Sequence, residues 1–252
     1  YGFHHYIHQT KNKMEITKNE KYRKKKFYHV VNKFEHKINN SEGKDICNAT
    51  IEYFKLKKKT PDILSRAFYK LWELLMNFNL IDHKNKNFLS AHLAEGPGSF
   101  IQATTFYRDI FTSSNDIKND RYYAITLHST SNEVPPLEKK FIKYYEKEKP
   151  KRLYQYVTST EKESNNKKDK TNGDLTKLKT IKLFRNEIEK SKRYADLVTA
   201  DGGFCWNDEN YQEQECFKLL LGEFIAAINI QKKGGNFVLK IYETFTDMTI
   251  KL

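Results

Sequence analysis

Leu89-Ser-Ala-His-Leu-Ala-Glu-Gly-Pro-Gly-Ser-Phe100 runs from an apolar strand through two glycines into a helix. Glycines at such a point let the backbone turn sharply and let a ligand approach with no Cβ in the way. Gly-Pro-Gly alone is an ordinary turn. At the carboxyl end of a strand, where open α/β sheets bind their ligands, it becomes a candidate binding loop. That loop comprises Glu95, Gly96, Pro97, Gly98, Ser99 and Phe100.

Outward from this loop, further elements alternate. Thr60-Pro61-Asp62 supplies a cap, a first-turn proline and an acid, so a helix is predicted from there to about residue 78. Its apolar positions are Ile63, Leu64, Ala67, Phe68, Leu71, Leu74 and Leu75. Strands are predicted over Leu89–Ala94, Tyr122–Leu127, Asp196–Ala200 and Phe237–Ile241, with a strong helix from about Glu213 to Gln231. Strands alternating with helices imply an α/β domain, a parallel sheet with helices on both faces. Residues 161–172, rich in Lys, Ser and Asn, read as a solvated loop. The expected division is a basic N-terminal extension over residues 1–59 and the α/β domain over residues 60–252.

The 252 residues carry a formal net charge of +13, and the basic residues are densest at Arg23–Lys26 and Lys55–Lys59. Such a charge favours polyanions, nucleic acid ahead of an anionic membrane. Cys47, Cys205 and Cys216 have neither metal-ligand spacing nor an even count, so no metal site and no disulfide framework is expected. Together they suggest a reducing compartment. No apolar run approaches the roughly 20 residues of a membrane span, and no signal peptide opens the chain. An intracellular setting, nucleus or cytoplasm (a viral factory if the source is a virus), is expected. Starting at Tyr1 rather than Met, the chain reads as a fragment or processed product.

Three polar residues stand where apolar ones are expected. Lys70 lies on the helix face of Ile63, Ala67 and Leu74. Asp201 ends a hydrophobic strand and precedes Gly202-Gly203, and Lys240 sits in the apolar run Phe237-Val-Leu-Lys-Ile241. A charge on an apolar side is costly unless it reaches water, a partner or a site. A snorkelling lysine, a turn aspartate and a strand-edge lysine are the ordinary alternatives. Lysine is a base near neutrality only when its pKa of about 10.4 is brought down to about 7, which takes on the order of 4 kcal/mol. Burial and a second positive charge do this.

Four segments, Ser65-Arg-Ala-Phe-Tyr-Lys70, Ala94-Glu-Gly-Pro-Gly-Ser-Phe100, Ala200-Asp-Gly-Gly-Phe204 and Gly234-Gly-Asn-Phe-Val-Leu-Lys240, together resemble the FtsJ-like ribose 2'-O-methyltransferases. The resemblance covers roughly residues 60–252. It is closest to the branch that methylates the messenger RNA cap, through Asn210-Tyr-Gln-Glu-Gln-Glu215, Leu219-Leu-Leu221 and Phe245-Thr246. It implies a Rossmann-like methyltransferase sheet that binds S-adenosylmethionine at Glu95–Phe100. Gly173-Asp174-Leu-Thr176 resembles the element whose acid, here Asp174, faces the adenine amino group; a surface turn is its ordinary reading. Lys70, Asp201 and Lys240 match three members of the family's Lys-Asp-Lys-Glu tetrad, with Lys240 as base and Asp201 beside the donor. The family's glutamate comes well downstream on the last strands, so those strands are expected to be missing before Leu252, in a natural protein that is longer.

The resemblance makes RNA the expected partner, most closely the capped 5' end of a messenger. Arg66, Lys139, Lys140 and Arg185 are candidates for phosphate contact. Ribosomal or transfer RNA, and an inactive RNA-binding module of the same fold, are the alternatives. A Rossmann oxidoreductase is disfavoured, because the loop lacks Gly-x-Gly-x-x-Gly.

Overall fold

The computed structural model describes residues 2–13, 48, 52–53, 62–128, 134–148, 152–156, 171–203, 211–244 and 246–252. In chain order the elements are α1 (Gly2–Lys13), α2 (Ala67–Asn77), β1 (Leu89–Leu93), α3 (Ser99–Phe111), β2 (Arg121–Ile125), α4 (Lys139–Glu148) and β3 (Leu153–Tyr156). They continue with α5 (Leu178–Glu189), β4 (Ala195–Ala200), α6 (Gln212–Ile230), β5 (Gln231–Leu239) and α7 (Asp247–Lys251).

The five strands form one sheet in the order β3-β2-β1-β4-β5, and every neighbouring pair is parallel. Parallel strands need crossovers, which cover both faces. All five residues of β1 are accordingly buried. Their side chains alternate between two cores. Leu89, Ala91 and Leu93 join Val198, Ala200, Ile181, Phe184, Ala227 and Ile230 in the core under α5 and α6. On the other face Phe68, Leu71, Leu75, Phe106, Tyr122, Phe141 and Tyr145 fill the core under α2, α3 and α4. Ser90 and His92 of β1 answer each other at 2.8 Å, and His92 bonds Thr199 of β4 at 2.8 Å. Burial pushes the His92 imidazole down to about 3, so it is neutral there.

Several boundaries differ from the sequence reading. Thr60 and Pro61 lie outside the described residues, and helix α2 begins only at Ala67. The Asp62–Leu64 backbone is instead bonded to Gln102 of α3, which accepts from Leu64 N–H and donates to the Asp62 carbonyl. Strand β5 starts at Gln231, directly after α6, and ends at Leu239, so Lys240 stands just beyond it. The sequence reading does not predict strand β3 or helices α4, α5 and α7. Of the expected solvated segment 161–172, Thr171 is buried and the Asn172 carbonyl accepts from His128 N–H at 2.7 Å. The end of that segment is therefore part of the sheet's carboxyl edge. The boundary expected near residue 59 lies outside the described residues.

Candidate active site

The carboxyl ends of β1, β2 and β4 open into a cavity of about 270 Å³ lined by Gly96, Thr126, Leu127, Pro135, Asp174 and Asp201 among others. It spans the central strand, with Asp174 on the β2 side and Asp201 on the β4 side.

Backbone contacts build the loop of the β2 side. Gly96 N–H donates to Thr126 Oγ1 at 3.2 Å, and the Pro97 carbonyl accepts from Glu138 N–H at 2.9 Å. The Gly96–Pro97 peptide is cis. Glu95, 5 % exposed, turns away from the large cavity. Its Oε1 accepts from Phe100 and Ile101 N–H at 2.8 and 2.9 Å, tying the loop to the first turn of α3. Burial is the main force that pushes this carboxyl up to about 8, against those two bonds. Glu95, Gly96, Pro97, Ser99 and Phe100 share a smaller cleft with Ala67 and Asp201. Ser99 Oγ bonds Ser65 Oγ at 2.7 Å, which joins the start of α2 to the loop. Gly98, with φ 116°, takes the left-handed turn that leads into α3.

On the same side, Gly173 has φ +74°, and a Cβ there would overlap the Thr126 carbonyl oxygen. Only glycine lets the following Asp174 approach β2 so closely. Asp174 Oδ1 accepts from Thr176 N–H and Oγ1 at 3.0 and 2.7 Å, and Oδ2 lies 3.3 Å from Lys177. These partners hold its carboxyl below the usual range despite partial burial. The result is an ionised, oriented acceptor in the wall of a largely apolar cavity. Such a lining suits a ligand with a flat apolar body and an exocyclic amine, since carboxylate oxygens only accept hydrogen bonds.

The β4–β5 side holds the reactive groups. Lys240 Nζ lies 3.0 Å from Asp201 Oδ1, donates to the Asp201 carbonyl at 3.2 Å, and sits 4.5 Å above the Tyr242 ring centre. Partial burial pulls the Lys240 ammonium down, but Tyr242 and Asp201 outweigh it and the net shift is upward. Lys240 is therefore a firmly held ammonium, not the lowered amine that a pair of adjacent lysines would give. Lys70 is exposed on α2, one turn beyond Ala67, and has no ion-pair partner among the described residues. So the structure brings Asp201 and Lys240 together, while Lys70 is exposed and lines neither cavity.

Two residues of this side escaped the sequence reading. Glu223 of α6, 1 % exposed, accepts from Gly202 N–H at 3.1 Å. Tyr242 donates its hydroxyl to the Gly202 carbonyl at 2.9 Å. Glu223 was findable. It stands in the buried stripe Cys216, Leu220, Glu223, Ala227, Ile230, where a carboxylate has no ordinary reason to be. Of the phosphate candidates, Arg66, Lys139 and Lys140 are exposed, whereas Arg185 pairs with Glu189 at 2.8 Å. The motif residue Thr246 is anchored by Glu213, whose Oε1 accepts from its N–H at 3.0 Å and its hydroxyl at 2.8 Å. Phe204 and Phe245 lie outside the described residues.

Residues 63–251 match the FtsJ-like methyltransferase family. Among curated relatives, the Drosophila melanogaster protein named cap-specific mRNA (nucleoside-2'-O-)-methyltransferase 2 is 28% identical over 206 residues. That match covers 79% of this chain and 27% of the relative. Uncharacterized protein L511 of Acanthamoeba polyphaga mimivirus is 28% identical over 212 residues, 81% of this chain and 24% of that protein. The mouse cap-specific mRNA (nucleoside-2'-O-)-methyltransferase 1 is 36% identical over 83 residues, 32% of this chain and 10% of the relative. The chain thus spans about a quarter or less of the length of these relatives. With a match of that extent and a parallel sheet whose carboxyl edge carries the cavity, the chain belongs to the FtsJ-like methyltransferase family.

Proposed function

We propose that this chain is the methyl-transfer domain of an S-adenosylmethionine-dependent RNA ribose 2'-O-methyltransferase acting at the messenger 5' cap. The observation that carries the reading is the double position of Asp201, which lines the large cavity and pairs with Lys240 at 3.0 Å. One residue thereby links a donor pocket to an amine. The cap as target rests on the names of the relatives. Residues 60–252 would form the catalytic domain and the basic residues 1–59 an extension that adds attraction for RNA. A nuclear or cytoplasmic setting follows from the same substrate.

The cavity residues fit the donor. Asp174 would accept from the adenine amine, and Gly96, where a Cβ would overlap the Pro135 carbonyl oxygen, lets the Pro135 segment close over the loop beside it. When bound, the donor supplies an electrophilic methyl on a positively charged sulfur. The chain's own residues must place a ribose hydroxyl in line with that methyl and take away its proton. Asp201 fixes the Lys240 ammonium at the cavity mouth, where it can donate to the hydroxyl oxygen. Before Lys240 can act as base it must release its own proton to solvent, which a nearby positive charge favours. Lys70, one turn from the cleft residue Ala67, would supply such a charge when RNA orders the rim.

The test is methyl transfer from labelled donor to capped and uncapped forms of one short RNA, using this chain and Lys240→Ala. Transfer confined to capped RNA and lost in the variant is the expected result. Equal transfer to both RNAs would move the assignment to a structured RNA. Donor binding without transfer to either would leave two readings, a catalytic domain lacking the family's glutamate or a binding module.

A further inference from the structure

Gly202 follows Asp201 and is gripped from two sides. Its N–H donates to Glu223 Oε1 at 3.1 Å, and its carbonyl accepts from the Tyr242 hydroxyl at 2.9 Å. The two grips come from different elements, α6 on one side and the segment after β5 on the other. The glycines make room for both. A Cβ on Gly202 would overlap Glu223 Oε1, and one on Gly203 would overlap the Tyr242 hydroxyl and stand 3.4 Å from Lys240 Nζ. Asp-Gly-Gly is thus a pair of approach points as well as a turn.

We propose that Glu223 and Tyr242 are positioning residues that clamp Gly202 through its N–H and its carbonyl and so hold the Asp201 carboxylate on the Lys240 ammonium. The inference deepens the methyltransferase reading and rests on it for its kinetic part alone.

The physical case has three parts. A carboxylate on a turn of two glycines is otherwise loosely held, since glycine restricts the backbone least. Tyr242 acts twice, bonding the Gly202 carbonyl and placing its ring 4.5 Å under Lys240 Nζ, so one side chain sets both members of the pair. Burying Glu223 to 1 % exposure with a single backbone bond is costly unless the bond matters. The groups around Glu223 are Lys240, which draws its pKa down, and Asp201, which raises it. Cys216 on its own helix feels it in turn. Burial dominates and pushes Glu223 up to about 8, so at neutrality it is mostly the neutral acid. A neutral acid still accepts from Gly202 N–H, and an amide would do the same.

That equivalence supplies the test. Glu223→Gln, Glu223→Ala and Tyr242→Phe are compared with the parent chain by competitive acetylation of lysines at pH 8, read by mass spectrometry, and by single-turnover methyl transfer. The first readout needs neither donor nor RNA. In the parent chain Lys240 should acetylate at least tenfold more slowly than exposed Lys70. Tyr242→Phe and Glu223→Ala should each speed Lys240 acetylation severalfold, leave Lys70 unchanged, and slow transfer about ten- to a hundredfold. Such a loss is of the size that a small misplacement of reacting groups produces. Glu223→Gln should retain the parent acetylation pattern and transfer within about threefold. Parent-like acetylation of Lys240 in both Tyr242→Phe and Glu223→Ala overturns the clamp, as does a Glu223→Gln variant as impaired as Glu223→Ala. A parent chain that methylates no RNA defeats the methyltransferase reading instead, and the acetylation comparison still decides the clamp. Tyr242→Phe removes one oxygen and keeps the ring, so it tests the inference without emptying the core.

Discussion

The two halves of the sheet's carboxyl edge are prepared to different degrees. On the β1–β2 side the backbone is locked against itself. Gly96 is bonded to Thr126, Pro97 to Glu138, Glu95 to the first turn of α3, and Gly173 is pressed on the Thr126 carbonyl. On the β4–β5 side Asp201 and Lys240 are paired, yet Lys240 is held in the charged form that cannot accept a proton. Lys70 waits in solvent. Under the proposed function the difference teaches that donor binding would be built into the free protein, whereas the chemistry would be completed only with substrate present. A preformed pocket spares the entropy of ordering on binding. A lysine poised as a free amine in the absence of substrate would be destabilised continuously.

The comparison breaks most readily at Lys240. Lys240→Ala should lower methyl transfer about a thousandfold, within the range for loss of a positioned acid–base group, while donor affinity measured by calorimetry stays within twofold. Because the folded-state pKa of Lys240 lies above its ordinary value, the free amine grows tenfold per pH unit throughout the neutral range. Single-turnover rates at low RNA should therefore rise about tenfold per unit from pH 6 to 9. A flat profile would remove Lys240 as base.

The other side breaks at Gly173. Gly173→Ala forces a side chain into φ +74° and against the Thr126 carbonyl, so donor affinity should fall about ten- to a hundredfold. Unchanged affinity would show that the Asp174 turn is not part of the pocket. Lys70→Ala should cost about tenfold in transfer and nothing measurable in melting temperature, as its side chain is exposed. No loss of rate would leave Lys70 outside the chemistry.

The smallest effect separates the two buried acids from the rest of the fold. An unfolded glutamate ionises near 4.5, while Glu95 and Glu223 keep their protons up to about 8. Between those values the folded chain binds more protons than the unfolded one, so each acid makes stability fall as pH rises across that window. Glu223→Gln should leave stability unchanged near pH 4 and raise it progressively as the pH climbs from about 5 to 8, in denaturant titrations at each pH. An equal change at all pH values would mean that folding leaves the ionisation of Glu223 unshifted.

Much of this was legible in the chain. Leu89–Phe100 announced a strand, a glycine loop and a helix because parallel buried strands are continuously apolar and glycine marks close approach. The stripe of α6 was read to within a residue at each end. Helix α5 was missed although Leu178, Ile181, Phe184 and Ile188 follow helical spacing, because it directly follows a long polar segment. Strand β3 has only four residues, too short for a period to declare itself. The start of β5 is hidden because Lys232, Lys233 and two glycines resemble a loop; Gln231 pairs with Ala195 of β4, and these four residues form an irregularity before pairing resumes at Asn236.

Sequence by itself determined the long apolar elements, the glycine points and the residue types that chemistry requires at the ends of strands, because local propensity and hydrophobic period act over a few residues. Only the tertiary structure decided which charges meet. It paired Asp201 with Lys240, left Lys70 exposed, and brought Glu223 and Tyr242 to the N–H and the carbonyl of one glycine. A pKa depends on burial and on neighbours distant in the chain. The sign of the Lys240 shift therefore had to wait for the fold.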